Sequence, residues 1–288
     1  MVSTFTGSTP ALFRPRTIAE ALALLAEIPE ARPIGGGASL VAMMNAGLVA
    51  PSALVSLTRV AELEGFRVSP DGSITIGAAT RHNALAREGR LTGAAAVLSR
   101  AAAQIAGEAV RNMGTIGGAI AHADPGLDLP PALYAIDATV EMAAKAGSRR
   151  VPVREFFIDW YTTALQPDEI VVAITIPKPK AGVGLYLKHS RVAGDFAIAS
   201  VALSLAHDGE VRVAIGGCGP TPLASPEADR ILSAGLSTSS VGRAGELLVE
   251  LANPVDDVRG SAEYRKLLIP RMLSRALQDA LAAARVAA

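Results

Sequence analysis

The 288-residue sequence contains one cysteine, Cys218. A lone thiol closes no disulfide within its own chain and holds no structural zinc or iron–sulfur cluster by itself. A reducing, cytosolic compartment is the expectation that fits such usage. Histidine is nearly as scarce: His82, His122, His189 and His207 are scattered, without a His-x-x-x-His pair, which argues against a metal site. Net charge is missing too, since 27 Lys and Arg residues balance 27 Asp and Glu residues. A nucleic-acid binder needs clustered positive charge to neutralise phosphates, so that class is excluded and a membrane-surface role is disfavoured. Charged residues make up 19% of the chain against 50% hydrophobic ones, which supplies a large core and excludes disorder. Low net charge also favours association and points to a chain that works inside a complex.

Long apolar runs are absent in the form a bilayer requires. Pro33–Thr58 carries no charge, but Gly35-Gly36-Gly37, Asn45, Gly47 and Pro51 interrupt it. No transmembrane segment is expected. Met1–Phe13 holds no basic residue and contains Pro10, so no signal peptide is expected there. Catalytic signatures are missing as well: there is no Gly-x-Ser-x-Gly elbow, no Walker loop and no Gly-x-Gly-x-x-Gly fingerprint. A Rossmann-type site is therefore disfavoured.

What is present reads as alternating small elements. Thr17 and Glu20 have capping-box spacing ahead of a helix carrying Ile18, Ala21, Leu22 and Leu25, which Pro29 ends. A strand at Arg32–Ile34, a helix over Ser39–Ala46 and a strand at Leu54–Leu57 follow. Ser73–Ala78 alternates as a strand, Thr80 is placed to cap a short helix through Ala86, and Gly93–Ala106 reads as a buried helix. Arg111–Pro130 is a glycine-punctuated segment that opens on a loop over Arg111–Ala119. Strands are expected near Ala138–Ala144 and Ile170–Ile176, and Pro177 and Pro179 mark a stiff linker. Gly184–Arg191, Phe196–Ala206 and Val211–Gly216 form a predicted antiparallel meander. Helices start at Ser225-Pro226 and cover Ser239–Leu251, and a last one over Ser261–Ala287 should kink or break near Lys266, ahead of Pro270.

Two glycine-rich segments carry the chemistry. Ile34-Gly35-Gly36-Gly37-Ala38-Ser39-Leu40 lies between a strand and a helix, where backbone N–H groups can turn towards an anion. A plain αβ turn is the alternative. Thr115-Ile116-Gly117-Gly118-Ala119 lies in the second segment, and two such nests could clamp a diphosphate without lysines. His122 follows closely enough to reach a phosphate or a ribityl oxygen. Asp124 and Asp128 come next, fit either to accept from sugar hydroxyls or merely to cap turns. Cys218, in a Gly-Gly-Cys-Gly-Pro stretch, reads as a packed turn residue.

Gly36-Gly37-Ala38-Ser39-Leu40, followed by the run Met113-Gly114-Thr115-Ile116-Gly117-Gly118-Ala119-Ile120-Ala121-His122-Ala123-Asp124-Pro125 and by Asp128-Leu129-Pro130, resembles the FAD-binding medium subunit of molybdenum hydroxylases. That is the family of the carbon monoxide dehydrogenase medium subunit and the xanthine dehydrogenase flavin domain. Gly194-Asp195-Phe196-Ala197 and Ser261-Ala262-Glu263-Tyr264-Arg265 extend the likeness over essentially the whole chain. The resemblance implies an α+β fold: a two-part FAD-binding domain of the vanillyl-alcohol-oxidase or PCMH-like kind at 1–57 and 58–177, and a C-terminal antiparallel sheet with helices at 178–288 closing over the flavin. It implies FAD on the two glycine segments, Asp128 on a sugar hydroxyl, Val171 at the cofactor, Lys188 near the polar edge of the isoalloxazine and Phe196 near one face, with core packing the alternative for Phe196. It further implies an electron-transfer role in a heterotrimer or a dimer of heterotrimers. There an iron–sulfur small subunit with two-iron–two-sulfur clusters and a large subunit with the molybdenum cofactor would be the partners. Two positions depart from the family pattern. Ala119 stands where Asn is usual, and Ala38 where His or Thr is common, so two polar contacts are lost. A self-contained FAD-dependent reductase or oxidase and a flavin-free structural subunit are the competing readings.

Overall fold

The structure, a computed structural model, describes residues 9–287. The expectation for Met1–Phe13 therefore lies, for residues 1–8, outside the described residues. A small parallel sheet comes first. β1 (Ala11–Phe13), α1 (Ile18–Glu27), β2 (Arg32–Ile34), α2 (Leu40–Asn45) and β3 (Ala53–Ser56) build it in the order β1-β3-β2. Thr17 caps α1 by accepting from Glu20 N at 3.1 Å, and the Glu20 carboxylate accepts from Arg16 N at 2.7 Å. Ala21 and Leu22 on α1 pack with Val55 of β3 in a small core that also takes in Ala143, Ile170 and Val172. β1 is an addition to the expected elements. Three residues have no period to read, and pairing with β3, about forty residues on, is what makes them a strand.

Next come β4 (Phe66–Val68), β5 (Ile74–Gly77), α3 (His82–Ala86), α4 (Ala96–Ala103), α5 (Glu108–Arg111), α6 (Ile116–His122) and α7 (Leu129–Ala135). They are followed by β6 (Thr139–Ala144), β7 (Gly147–Pro152), α8 (Val153–Phe156), the hairpin strands β8 (Phe157–Asp159) and β9 (Thr162–Thr163), and β10 (Ile170–Ile176). Five of these strands pair antiparallel in the order β4-β5-β10-β6-β7. Three expectations are corrected here. Thr80 does not cap α3; its hydroxyl exchanges hydrogen bonds with Gly65 N and O at 3.0 and 3.2 Å. Gly93–Ala95 is a 3₁₀ turn, and the regular helix starts only at Ala96. The glycine-punctuated loop contains a helix, because Thr115 supplies the cap that Gly117 and Gly118 lack as helix formers.

The expected meander forms as β11 (Gly182–His189), β12 (Ala199–Ala206) and β13 (Val211–Gly216), in that order and antiparallel. Then come α9 (Pro226–Ala234), α10 (Thr238–Leu251) and α11 (Ala262–Ala287). α11 runs through Pro270 without a break, so of the expected kink or break the break does not occur. Proline removes one N–H there, leaving one turn of a 26-residue helix without its ladder bond. The meander is covered on both faces. Tyr186, Ala202 and Ala214 face the main core with α4, α6 and α7, while Val201, Leu203, Val213 and Ile215 face α9–α11. The architecture is α+β.

Candidate cofactor site

The two glycine segments meet. A Cβ built on Gly36 would lie 1.6 Å from the Met113 carbonyl oxygen and 2.9 Å from Gly114 N, so the backbones touch with no room for a side chain. The Thr115 hydroxyl is the focus of the contact: Cβ atoms on Gly35 and Gly118 would fall 2.6 and 2.9 Å from it. Gly37 completes the turn into α2 at φ +78°, a conformation that glycine adopts without strain.

The donors of the two segments differ. Among the described residues, the N–H groups of Gly36, Gly37, Ala38, Ser39 and Leu40 have no hydrogen-bond partner, and the Ser39 hydroxyl makes no cap bond. The first-turn donors of α6 are all taken: Ile116 N by Thr80 O at 3.0 Å, Gly117 N by Ala78 O at 2.8 Å, Gly118 N by the Thr115 hydroxyl at 3.2 Å and Ala119 N by Thr115 O at 2.9 Å. The two nests are therefore unlike. One segment offers free donors, and the other braces it. Five consecutive free N–H groups beside an exposed Gly118 fit a group with several anionic oxygens.

His82 supports the brace from below. It is 5% exposed, a Cβ on Gly114 would lie 2.7 Å from its ring, and its Nδ1 has no partner. Burial pushes its pKa down from 6.5 to about 4, so it is neutral in the fold at pH 7. The unfolded chain protonates first as pH falls, so stability is full above the unfolded pKa and drains away below it. The expected loss is about 2 kcal/mol between pH 7 and pH 5. Urea unfolding at both pH values should show that difference, and His82→Leu should largely remove it.

A second group lies under the meander. Asp128, just before α7, is buried and caps nothing; its Oδ1 accepts from the Tyr186 hydroxyl at 2.6 Å and its Oδ2 from Lys188 Nζ at 3.0 Å. Lys188 Nζ also donates to Gln104 O at 2.9 Å, and both charged side chains are less than a tenth exposed. Burial holds the Asp128 pKa above the usual carboxylate range, with the Lys188 charge and the Tyr186 hydrogen bond opposing that rise. Both carboxylate oxygens are thus engaged inside the chain, and turn capping falls instead to Asp124, which accepts from Gly126 N at 2.8 Å. Asp128 is thus an ion-pair partner of Lys188 within the chain.

The other candidates are spread around this frame. His122 ends α6, with its ring 5.7 Å from that of Tyr161, whose hydroxyl donates to Asp124 at 3.1 Å. Partial burial lowers the His122 pKa, with the Asp124 charge opposing. Val171 is buried in the main core at a bulge of β10. Phe196 lies in the connection before β12 and not on the strand, 39% exposed, which removes the core-packing alternative. Cys218 is fully buried, its thiol pushed up to about 12 by burial, an inert packing residue. Tyr186, Gln104 and Tyr161 lie outside the sequence motifs, and His82 stands there only among the scattered histidines. Only Tyr186, two residues before Lys188 on an alternating strand, had a readable signal.

Residues 4–179 match the model of the FAD binding domain in molybdopterin dehydrogenase, and residues 185–280 match that of the CO dehydrogenase flavoprotein C-terminal domain. The chain belongs to the molybdopterin dehydrogenase flavin family. Among relatives of this family, the carbon monoxide dehydrogenase medium chain of Afipia carboxidovorans is 37% identical over 279 residues, 94% of this chain and 96% of that one. The 6-hydroxypseudooxynicotine dehydrogenase complex subunit alpha of Paenarthrobacter nicotinovorans is 37% identical over 277 residues, 93% of each chain. Carbon monoxide dehydrogenase from Hydrogenophaga pseudoflava, solved in a form lacking the Mo-pyranopterin moiety, superposes with a TM-score of 0.91 at 33% identity, covering 96% of this chain and 98% of that one. The chain is thus an FAD-binding medium subunit of the molybdenum hydroxylase type and part of an oxidoreductase. As a family member it has its cofactor's chemistry in FAD, and the free donors of the first glycine segment fit the FAD diphosphate. No helix among the described residues is long and apolar enough to cross a membrane.

Proposed function

We propose that this chain relays electrons through FAD from an iron–sulfur partner subunit to an external acceptor, while a large subunit with the molybdenum cofactor oxidises the substrate. The observation that carries the reading is the row of free N–H groups from Gly36 to Leu40, with Gly36 packed on the Met113–Gly114 backbone. Ile34–Leu40 would receive the diphosphate, and Gly118 and Ala119 would border it on the side of α6. The parts at 1–57 and 58–177 would hold FAD between them, with 178–288 closing over the flavin. Bound there, FAD supplies a centre that accepts electrons singly and passes them on singly or in pairs. Lys188 would place a fixed, desolvated positive charge under the isoalloxazine end, with Asp128 and Gln104 O holding its ammonium group in one position. Phe196 would cover one face and His122 would stand at the ribityl side. A single buried cysteine leaves the chain no cluster of its own, so electrons must arrive from a partner. Val192, Val255 and Val258 are exposed, and apolar side chains of that kind suit a stable subunit contact of at least about 1,000 Å².

Light scattering on the natively purified protein tests this, together with flavin, iron and molybdenum contents. The expected result is a heteromeric complex with one FAD per copy of this chain. A monodisperse 29.5 kDa monomer that carries flavin and is fully active alone overturns it.

A further inference from the structure

The connection between β11 and β12, residues 190–198, holds the exposed Phe196, and a segment distant in sequence grips it at three points. At its start, the Tyr264 hydroxyl lies 3.0 Å from His189 Nε2. At its end, Arg265, 5% exposed, donates to Ile198 O at 2.6 Å and Gly217 O at 2.9 Å. In its middle, the Arg259 guanidinium stands 4.9 Å above the centroid of the Phe196 ring. Arg259 is held in turn between two carboxylates: Asp195 at 3.7 Å, whose Oδ1 also accepts from Phe196 N, and Asp257 at 3.7 Å, which is bonded to Arg265 at 2.7 Å. Arg259 Nε is buried and donates to nothing, so the guanidinium is placed for the ring and for charge more than for hydrogen bonds.

We infer that Arg259 is a positioning residue. It clamps the Phe196 ring in one orientation at the mouth of the flavin cleft, and Tyr264 and Arg265 of the Ser-Ala-Glu-Tyr-Arg motif anchor the connection on which that ring rides. A cation above an aromatic face stabilises one rotamer of an exposed ring that would otherwise sample several. The Ser-Ala-Glu-Tyr-Arg motif, otherwise only the opening turn of α11, thereby gains a task in ordering the cleft. The consequence for electron transfer rests on the placement of Phe196 against the flavin given above.

The test uses the FAD-loaded protein labelled with 4-fluorophenylalanine, with the Phe196 resonance among six phenylalanines assigned by Phe196→Leu. Arg259→Gln should shift and broaden that resonance alone and weaken the visible circular dichroism of bound FAD, at unchanged FAD content. Arg259→Lys, which keeps a cation over the ring, should restore much of both signals. A Phe196 resonance unmoved by Arg259→Gln overturns the clamp. A moved resonance with unaltered flavin dichroism upholds the clamp and overturns the placement of Phe196 at the flavin.

Discussion

Gly36→Ala is expected to cost the chain most of its FAD. The added methyl would be aimed at the Met113 carbonyl oxygen, 1.6 Å away, with the carbonyl carbon at 2.3 Å and Gly114 N at 2.9 Å. All three atoms are backbone and cannot rotate aside. The two glycine segments must therefore separate, which tilts the free N–H groups of Gly37–Leu40 away from the Thr115 side. Overpacking of this kind costs roughly 1–3 kcal/mol of stability, but the loss of cofactor should be far larger than that figure suggests. Binding to a backbone nest depends on several donors converging on one group. Gly107→Ala is the control, since a Cβ there meets nothing within 4 Å. The ratio of flavin absorbance to protein absorbance, read beside a denaturant curve, separates cofactor loss from unfolding. Stoichiometric FAD in Gly36→Ala at unchanged stability would show that the segments do not abut.

The second large effect is expected at Asp128. Viewed only as a sugar contact, Asp128→Ala would remove one charge-assisted hydrogen bond, worth about 1–3 kcal/mol. The geometry demands more. The substitution leaves the Lys188 ammonium buried against Gln104 O without its counter-charge and strips the Tyr186 hydroxyl of its acceptor. Breaking a buried pair by deleting one partner costs about 3–5 kcal/mol, so the variant should unfold at markedly lower urea concentration. Asp128→Ala combined with Lys188→Met should recover much of the loss, because no lone charge then remains inside. If the double variant is as unstable as the single one, the ion pair is not the cause.

These two sites also show where reading the residues alone succeeds. The meander and β10 were legible because alternation has a period of two and short turns leave one pairing open. The meeting of the glycine segments was legible in kind, since two close-approach sequences in one chain suggest a shared ligand. Their inequality was not. Which segment keeps its N–H groups free depends on Ala78, Thr80 and Thr115 supplying acceptors to α6, and glycine's poor helix propensity hid that helix. Asp128, Tyr186 and Lys188 fall on two elements about sixty residues apart, so their pairing is a tertiary fact. The family resemblance placed Asp128 and Lys188 near the cofactor, but it did not disclose that they hold each other. Arg259 and Asp257 were overlooked for the same reason: Asp-Asp-Val-Arg in a polar loop looks like solvated surface until the 190–198 connection is folded onto it.

The meander has no solvent face. All eight residues of β12 are buried, with α4 and α7 on one side and α9–α11 on the other. A gene cut at the Pro177–Pro179 stretch would thus yield two products, each baring a normally buried surface to water, one lacking the sheet and the other lacking half its cover. Such fragments aggregate before they find each other. Gene fission is therefore closed to this subunit at that point. Exchange of the last hundred residues between relatives is open only when the residues of α4 and α7 that meet the sheet travel with them.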